Sequence, residues 1–340
     1  MAADTESAQP GQTTPAAADG GVIHNIGYRR YADARLGRGS IFLALTWHSL
    51  RAAFGLGRGA KAKIFPVLLF VIMCLPAVVN AVSLATNPGQ GAIVSYDDYI
   101  PSIRAVAMLI FVALEAPNLV STDLRNHMLP LYFARPIRRI DYPLAKLVAF
   151  VIACLLMIEI PLVILYVGNV TQVHGAHAVW EQTLQFGPGL LYGAAWALLL
   201  ASIGLLLASL TGKRVFAICA VGIPLFFSYI VAHTLSHVGQ QAFRAVPVCA
   251  GRVVRNGGQV ICLHPGFHPP ALASLAGLIS PFTLLGGVLR WLAAPNYTEA
   301  GNLQATVIGQ YGDIYGLVFV LLTAVAIGAL LLRYRKVGVA

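Results

Sequence analysis

Six stretches of the chain are apolar over the length of a membrane crossing, and a seventh is apolar but broken. The six run from Ile64 to Ala85, Ile100 to Val120, Pro143 to Val167, Gly187 to Leu210, Val215 to Val238 and Tyr311 to Leu332. Each is near the ~20 residues that cross ~30 Å of hydrocarbon as a helix. The seventh, Ala271 to Leu292, is interrupted by Ser280-Pro281 and carries Arg290. That pattern predicts a re-entrant pair of short helices, which is admissible only against protein or a wet cavity. Ahead of the spans, Ser40 is placed as an N-cap for a helix from Ile41 to Phe54, with Trp47 and His48 in its middle and Arg51 near its end. It is too short to span, and its aromatic suits the headgroup level, so residues 40–57 are expected to lie flat on the inner face. An ordinary cytoplasmic helix is the alternative.

Composition and charge sharpen this. The chain has 340 residues, 58% hydrophobic and only 11% charged, where a soluble domain carries about a quarter charged residues. The fold class is therefore an all-α polytopic membrane protein. Met1 to Gly21 is rich in Ala, Thr, Gln, Pro and Gly and lacks the apolar centre of a signal peptide. Residues 1–39 read as a disordered, polar cytoplasmic tail. The first 63 residues hold eight Lys or Arg, and the loops after the first and third spans hold none. The segment after the second span, the Lys213-Arg214 turn and the tail Arg333, Arg335 and Lys336 are basic. Six spans put all of these on one side, which the positive-inside rule makes cytoplasmic; seven would send the basic tail outward. The expected layout is a six-span domain over residues 64–332, a cytoplasmic tail over 333–340, and both termini inside the cell membrane. The net charge of +10 fits loops facing anionic lipid. Aromatic and basic alternations of the nucleic-acid-binding kind are absent, so no nucleic acid partner is expected.

Between the second and third spans the chain reads DLRNHMLPLYFARPIRRIDYPLAK, from Asp123 to Lys146. Leu124, Met128, Leu131 and Tyr132 recur at helical spacing, with Arg125, Asn126 and Arg135 between them. This predicts a short amphipathic helix that Arg135-Pro136 stops. Such a helix is either a solvated loop that fixes topology or a docking surface for a soluble partner. The charged opening, the short helix, Ala-Arg-Pro-Ile-Arg-Arg and then Asp-Tyr-Pro-Leu-Ala-Lys resemble the permeases of the ABC-2 export family. The likeness is strongest from Glu115 to Lys146. One departure is visible, since Asn126-His127 stands where many members place a Gly beside a small residue.

That resemblance implies an assembly of two permease subunits, identical or paralogous, and two copies of an ATPase subunit. ATP and Mg would be bound by the ATPase, with no cofactor in this chain. Residues 123–142 would be the coupling segment that the ATPase grips. Leu131, Tyr132 and Phe133 are expected to insert into a groove on it, with Arg135 and Arg139 at the rim. The substrate implied is amphipathic or apolar, such as a drug, an antibiotic or a lipid-like molecule, moved outward.

The chemical inventory agrees with a subunit that is not itself an enzyme. No G-x-x-x-x-G-K-[ST] loop exists, because Gly212-Lys213 is followed by Arg214 and lacks the upstream glycine. No H-E-x-x-H or G-x-S-x-G is present either. His233 and His237, and His264 and His268, are four apart, and His174 and His177 share an outer loop. Without a Cys or carboxylate partner at a recognisable spacing they predict no metal site. Charges inside spans are costly and usually face a bundle interior. Arg104 and Glu115 lie in the second span and Glu159 in the third. Arg104 and Glu159 both fall toward the outer side and are expected to pair, with direct contact to substrate as the alternative. Glu115, near the inner end, is expected to tie the coupling helix to its span. In the fourth span Gly189, Gly193, Ala197, Gly204 and Ala208 recur at spacing four and permit close packing, within the subunit or between subunits.

Residues 239–310 form the longest segment between spans and are expected to make an outer lid. Valines and isoleucine flank Asn256-Gly257-Gly258, a strong hairpin signal. The turn brings Cys249 toward Cys262, within a residue or two of register, and the oxidising outer face predicts a disulfide worth roughly 3 kcal/mol. Two other readings stay open: an ion-driven secondary transporter using Arg104, Glu115 and Glu159, and a membrane enzyme using the outer histidines.

Overall fold

The computed structural model describes residues 37–87, 103–134, 137–244, 253–256, 259–262, 275–293 and 312–337. Over these the chain is helical except for one short hairpin. The elements are α1 (Arg38–Ala53), α2 (Ala60–Thr86), α3 (Ile103–Arg125), α4 (Leu129–Phe133), α5 (Asp141–Val170), α6 (Ala176–Ala208) and α7 (Arg214–Arg244). After them come β1 (Val253–Asn256), β2 (Gln259–Cys262), a 3₁₀ turn (Ala276–Ile279), α8 (Pro281–Ala293) and α9 (Gly312–Val337). Six helices, α2, α3, α5, α6, α7 and α9, are long and apolar enough to cross a membrane. This is an all-helical, multi-pass membrane architecture. It takes that form because backbone polar groups in hydrocarbon must be satisfied within their own helix.

The break at Ser280-Pro281 is real. The 3₁₀ turn ends at Ser280, and α8 begins at Pro281 and is 13 residues long, too short to span. Proline suits the first helical position because its missing N–H has no partner there anyway. The hairpin also forms, pairing Val253 with Cys262 and Asn256 with Gln259. That register differs from the alignment expected of the two cysteines, and the expected disulfide itself falls on a residue that is not described. Cys262 stands opposite Val253, four positions from Cys249, and Cys249 itself lies outside the described residues.

Helices α5 and α6 form the centre. α5 packs on α1, α2, α3, α6 and α9, and α6 packs on α3, α7, α8 and α9 besides. The buried positions of α2 are Pro66, Leu69, Met73, Ala77, Asn80 and Leu84. They repeat at three and four residues, a single seam against α5, as in side-by-side packing near +20°. The opposite side of α2 exposes Ile64, Val67, Val71, Leu75, Val78 and Val82, which suits lipid rather than water. The seam is close at one end. A Cβ on Gly168 of α5 would stand 2.8 Å from the Ala81 Cβ of α2, and beside it Asn80 donates to Asn169 across 3.0 Å in a buried hydrogen bond.

Several element ends differ from the expected ones. α1 begins at Arg38 after Gly37, and no side chain caps it, so Ser40 is the third helical residue rather than the N-cap. α1 ends in a Schellman motif, with Leu56 N–H on the Arg51 carbonyl at 2.8 Å and Gly55 N–H on that of Ala52 at 3.0 Å. Gly55 has φ +66° and its missing Cβ would meet the Ala62 backbone, so only glycine fits there. α7 runs on to Arg244, so the expected outer segment from residue 239 starts inside that helix. α9 runs on to Val337 and takes Arg333, Arg335 and Lys336 with it, so the expected tail is mostly helix. These extensions follow from helix hydrogen bonding, which does not stop where the apolar window stops.

Filling the closest approach should loosen the seam. Gly168→Leu is expected to destabilise by about 1–3 kcal/mol through overpacking. It should lower the thermal unfolding temperature in detergent and raise hydrogen exchange over Ala77–Leu84, while α8 and α9 keep their protection.

Candidate functional site

The segment after the second span is built differently from the single short helix that its spacing predicts. α3 continues to Arg125, so Leu124 belongs to its last turn and not to the coupling helix. It then ends in a second Schellman motif. Met128 N–H reaches the Asp123 carbonyl at 3.1 Å, and His127 N–H reaches that of Leu124 at 3.4 Å. The residue at the left-handed position is His127, φ 49°. Histidine tolerates that region better than most residues with a Cβ, so the departure from glycine at Asn126-His127 keeps the turn. Pro130 sits in the first turn of α4, and α4 is only the five residues Leu129–Phe133.

Below α4 lies a compact polar junction. The Lys146 ammonium of α5 pairs with the Asp123 carboxylate of α3 at 2.9 Å, with their side chains 6% and 17% exposed. The Tyr142 hydroxyl donates to the same carboxylate across 2.7 Å. Tyr142 is fully buried, and its ring collects neighbours: Tyr132 and Tyr334 at centroid distances of 5.3 Å each, Phe133 edge-on at 6.4 Å, and the Lys146 ammonium at 5.6 Å. One turn back, Arg38 of α1 binds Asp141 at the head of α5 with both arms of its guanidinium. The Arg138 N–H adds a third bond to that carboxylate at 3.0 Å. The hydrogen bond to Asp141 holds the Arg38 guanidinium above the usual arginine value. The C-terminus of α6 closes the junction, its last carbonyls taking the Ser121 hydroxyl at 2.7 Å (on Ala208) and the Arg333 guanidinium at 2.7 Å (on Ser209). Helices α1, α3, α4, α5, α6 and α9 thus meet at the end of the bundle that carries the basic turns.

The expected coupling residues divide. Leu131 is 66% exposed and Met128 39%, and Arg139 is exposed on the following turn. Tyr132 and Phe133 are half-buried with their rings against Tyr142, facing the bundle rather than outward. Arg135 lies outside the described residues. Sequence reasoning missed Tyr142, Asp123 and Lys146 as a unit. The signal was present, because Asp123 and Lys146 are charges at the edges of apolar runs.

The intramembrane charges also separate. Glu115 is buried and accepts a hydrogen bond from Asn118, one turn along its own helix, at 2.9 Å, so its described partner is not α4. Arg104 lies on the first turn of α3, and its side chain lies outside the described residues. Glu159 is half-buried, and neither carboxyl oxygen has a hydrogen-bond partner among the described residues. The expected ion pair with Arg104 falls on a side chain outside the described residues. The small residues of the fourth span serve packing within the subunit: a Cβ at Gly193 would strike Glu159 and Ile158, and one at Gly204 would strike Val112. Among the described histidines, His177 meets Glu181 at 3.4 Å on the surface and His233 packs on Tyr229. No group of three possible metal ligands occurs among the described residues. Side chains of His237, His264 and His268 lie outside them. No family model matches the chain, and no curated protein matches its sequence.

The Asp123–Lys146 pair is testable by a double-mutant cycle. Lys146→Met alone leaves a buried carboxylate unpaired and is expected to cost about 3–5 kcal/mol. Lys146→Met with Asp123→Asn should cost less than the sum of the single changes, read from unfolding in detergent.

Proposed function

We propose that this chain is the membrane-spanning subunit of an ATP-driven exporter of the ABC-2 type. The observation that carries the reading is the division of α4. Met128 and Leu131 face away from the bundle as an apolar edge beside Arg138 and Arg139, which are exposed. Tyr132 and Phe133 sit on Tyr142, which is bonded to the second span through Asp123. A short helix with one free edge and one anchored edge suits a lever: what grips Leu131 moves the heads of the second and third spans together. Arginine side chains are enriched among the residues that dominate such contacts, and the exposed Arg139 supplies the rim. The likeness from Glu115 to Lys146 names the gripping partner as an ATPase subunit, present in two copies with ATP and Mg, and pairs this chain with a second permease subunit.

On this reading the basic end of the bundle is cytoplasmic, in the plasma membrane, with both termini inside. α1 lies along the inner surface, exposing Leu43 and Trp47 at the headgroup level. The 3₁₀ turn and α8 form a re-entrant unit at the opposite end. The cargo is amphipathic or apolar and moves outward, which fits a path with few fixed charges. The closed ATPase dimer would drive the two coupling segments and so change the path between the two permeases.

A second reading, an ion-driven transporter, draws on the Glu159 carboxyl, which has no partner among the described residues. Transport by vesicles that hold an ion gradient but no ATP would favour it over the exporter.

The lever makes separable predictions. Leu131→Glu is expected to abolish co-purification of the ATPase, weakening the contact at least about thirtyfold for a change of ~2 kcal/mol, while the permease stays monodisperse. Tyr132→Ala with Phe133→Ala should keep the ATPase bound but uncouple ATP hydrolysis from transport. Full co-purification and transport by Leu131→Glu would sink the coupling role of α4.

A further inference from the structure

A buried ionised carboxylate is stable only when a cation or several hydrogen bonds compensate it. Glu159 has neither among the described residues. The ion pairs found there are Arg38–Asp141, Lys146–Asp123 and His177–Glu181, all elsewhere. α1, α2, α3, α6 and α9 pack against α5, and none of their described Lys, Arg or His side chains comes within ion-pair distance of it. Both carboxyl oxygens are nonetheless shielded from solvent. They lie against Gly193 of α6, where any larger residue would occupy their place. The absence of a side chain at that position lets the Glu159 carboxyl lie in the seam between the third and fourth spans.

Two further features mark this space. Trp196 lies one turn along α6 from Gly193, is 1% exposed, and its indole N–H has no partner among the described residues. Its ring stacks with Tyr192 at 6.4 Å and meets Phe282 edge-on at 5.5 Å, so aromatic faces and an unused donor lie one helical turn from the glycine that abuts the carboxyl. The second feature is access. On α5, Leu156, Ile160 and Val163 are 38%, 39% and 43% exposed, and they lie three, one and four residues from Glu159. The carboxyl therefore sits at the edge of an apolar strip that faces the membrane. An apolar approach leading to one negative charge and aromatic rings selects for a lipophilic cation. The ring faces attract it, and the carboxylate is worth far more at low dielectric than in water.

We infer that the seam of the third and fourth spans, at Glu159, Gly193 and Trp196, is a binding site for amphipathic organic cations entering from the membrane. This rests on the reading of the chain as a transport subunit and narrows its cargo to cationic amphiphiles.

The test uses the purified full-length chain in lipid nanodiscs, without an ATPase, and two ions matched in shape and opposite in charge, tetraphenylphosphonium and tetraphenylborate. The expected result is saturable binding of the phosphonium, at least about tenfold tighter than any binding of the borate. Glu159→Gln should weaken the phosphonium at least tenfold, and Glu159→Asp should restore part of the loss. Glu181→Gln, on the surface, should change it less than twofold. Equal binding of the two ions by the unaltered protein overturns the inference without any variant, as does an unchanged Kd in Glu159→Gln. If the protein binds neither ion, and Glu159→Gln breaks a dimer on size-exclusion chromatography, the carboxyl meets a second copy of the chain and the inference falls. Loss of cation binding beside intact ATPase co-purification removes this inference alone. Intact binding without any ATPase partner removes the exporter reading alone.

Discussion

The buried pair of Lys146 and Asp123, with the Tyr142 hydroxyl on the same carboxylate, is the constraint that organises one end of this protein. Either charge alone would be expensive at the edge of a membrane. Together, with a hydrogen bond and an aromatic face for the ammonium, they hold the C-terminal end of α3 to the first turns of α5. The position of α4 follows. It is five residues long, too short to be stable by itself, and it is fixed because its two rings lie on Tyr142. The ends of α6 and α9 follow too, through Tyr334 against Tyr142 and Arg333 on the α6 terminus.

The two ends of the bundle are stabilised by different means. At the basic end the contacts are charge-assisted and specific, linking six helices through a few polar side chains. At the other end, close packing around small residues takes over. Gly168 lets α2 meet α5, with Asn80 and Asn169 paired between them. Gly277 and Gly287 leave room for the ring of Tyr315, which is fully buried between the 3₁₀ turn, α8 and α9. Polar groups inside a membrane protein gain most where the alternative is hydrocarbon, and small residues gain most where backbones approach. A mechanical signal entering at α4 would meet a stiff, bonded junction first and a sliding, close-packed interface farther away.

Glu159 stands apart from both systems. The other buried or half-buried carboxylates described in the spans have partners in the chain: Glu115 has Asn118, Asp123 has Lys146 and Tyr142, and Asp141 has Arg38. A half-buried acid without a partner among the described residues, beside an apolar strip, is therefore a local exception among these carboxylates. Unpaired intramembrane charges are costly and tend to mark a ligand or ion path.

The six spans were legible in the sequence because a run of apolar residues has one economical structure in hydrocarbon, a helix whose backbone bonds are internal. The break at Ser280-Pro281 and the turn at Asn256-Gly257-Gly258 were legible for an equally local reason, since proline and glycine restrict or free their own dihedral angles. What required tertiary structure was every pairing at a distance. Leu131, Tyr132 and Phe133 look alike as consecutive apolar residues, and only packing against Tyr142 shows that two of them face inward and one outward. Rotation about each helix axis decides which charges inside the spans meet. Asp123 and Lys146 meet, 23 positions apart, across a turn whose left-handed residue is a histidine. Cys262 lies on β2 opposite Val253, a register that the spacing of the cysteines does not give. Hydrophobic pattern determines that a helix exists and roughly where it lies, because burial depends on summed apolar area. Which face meets which neighbour depends on helix rotation and register, and these are set by contacts among residues far apart in the chain.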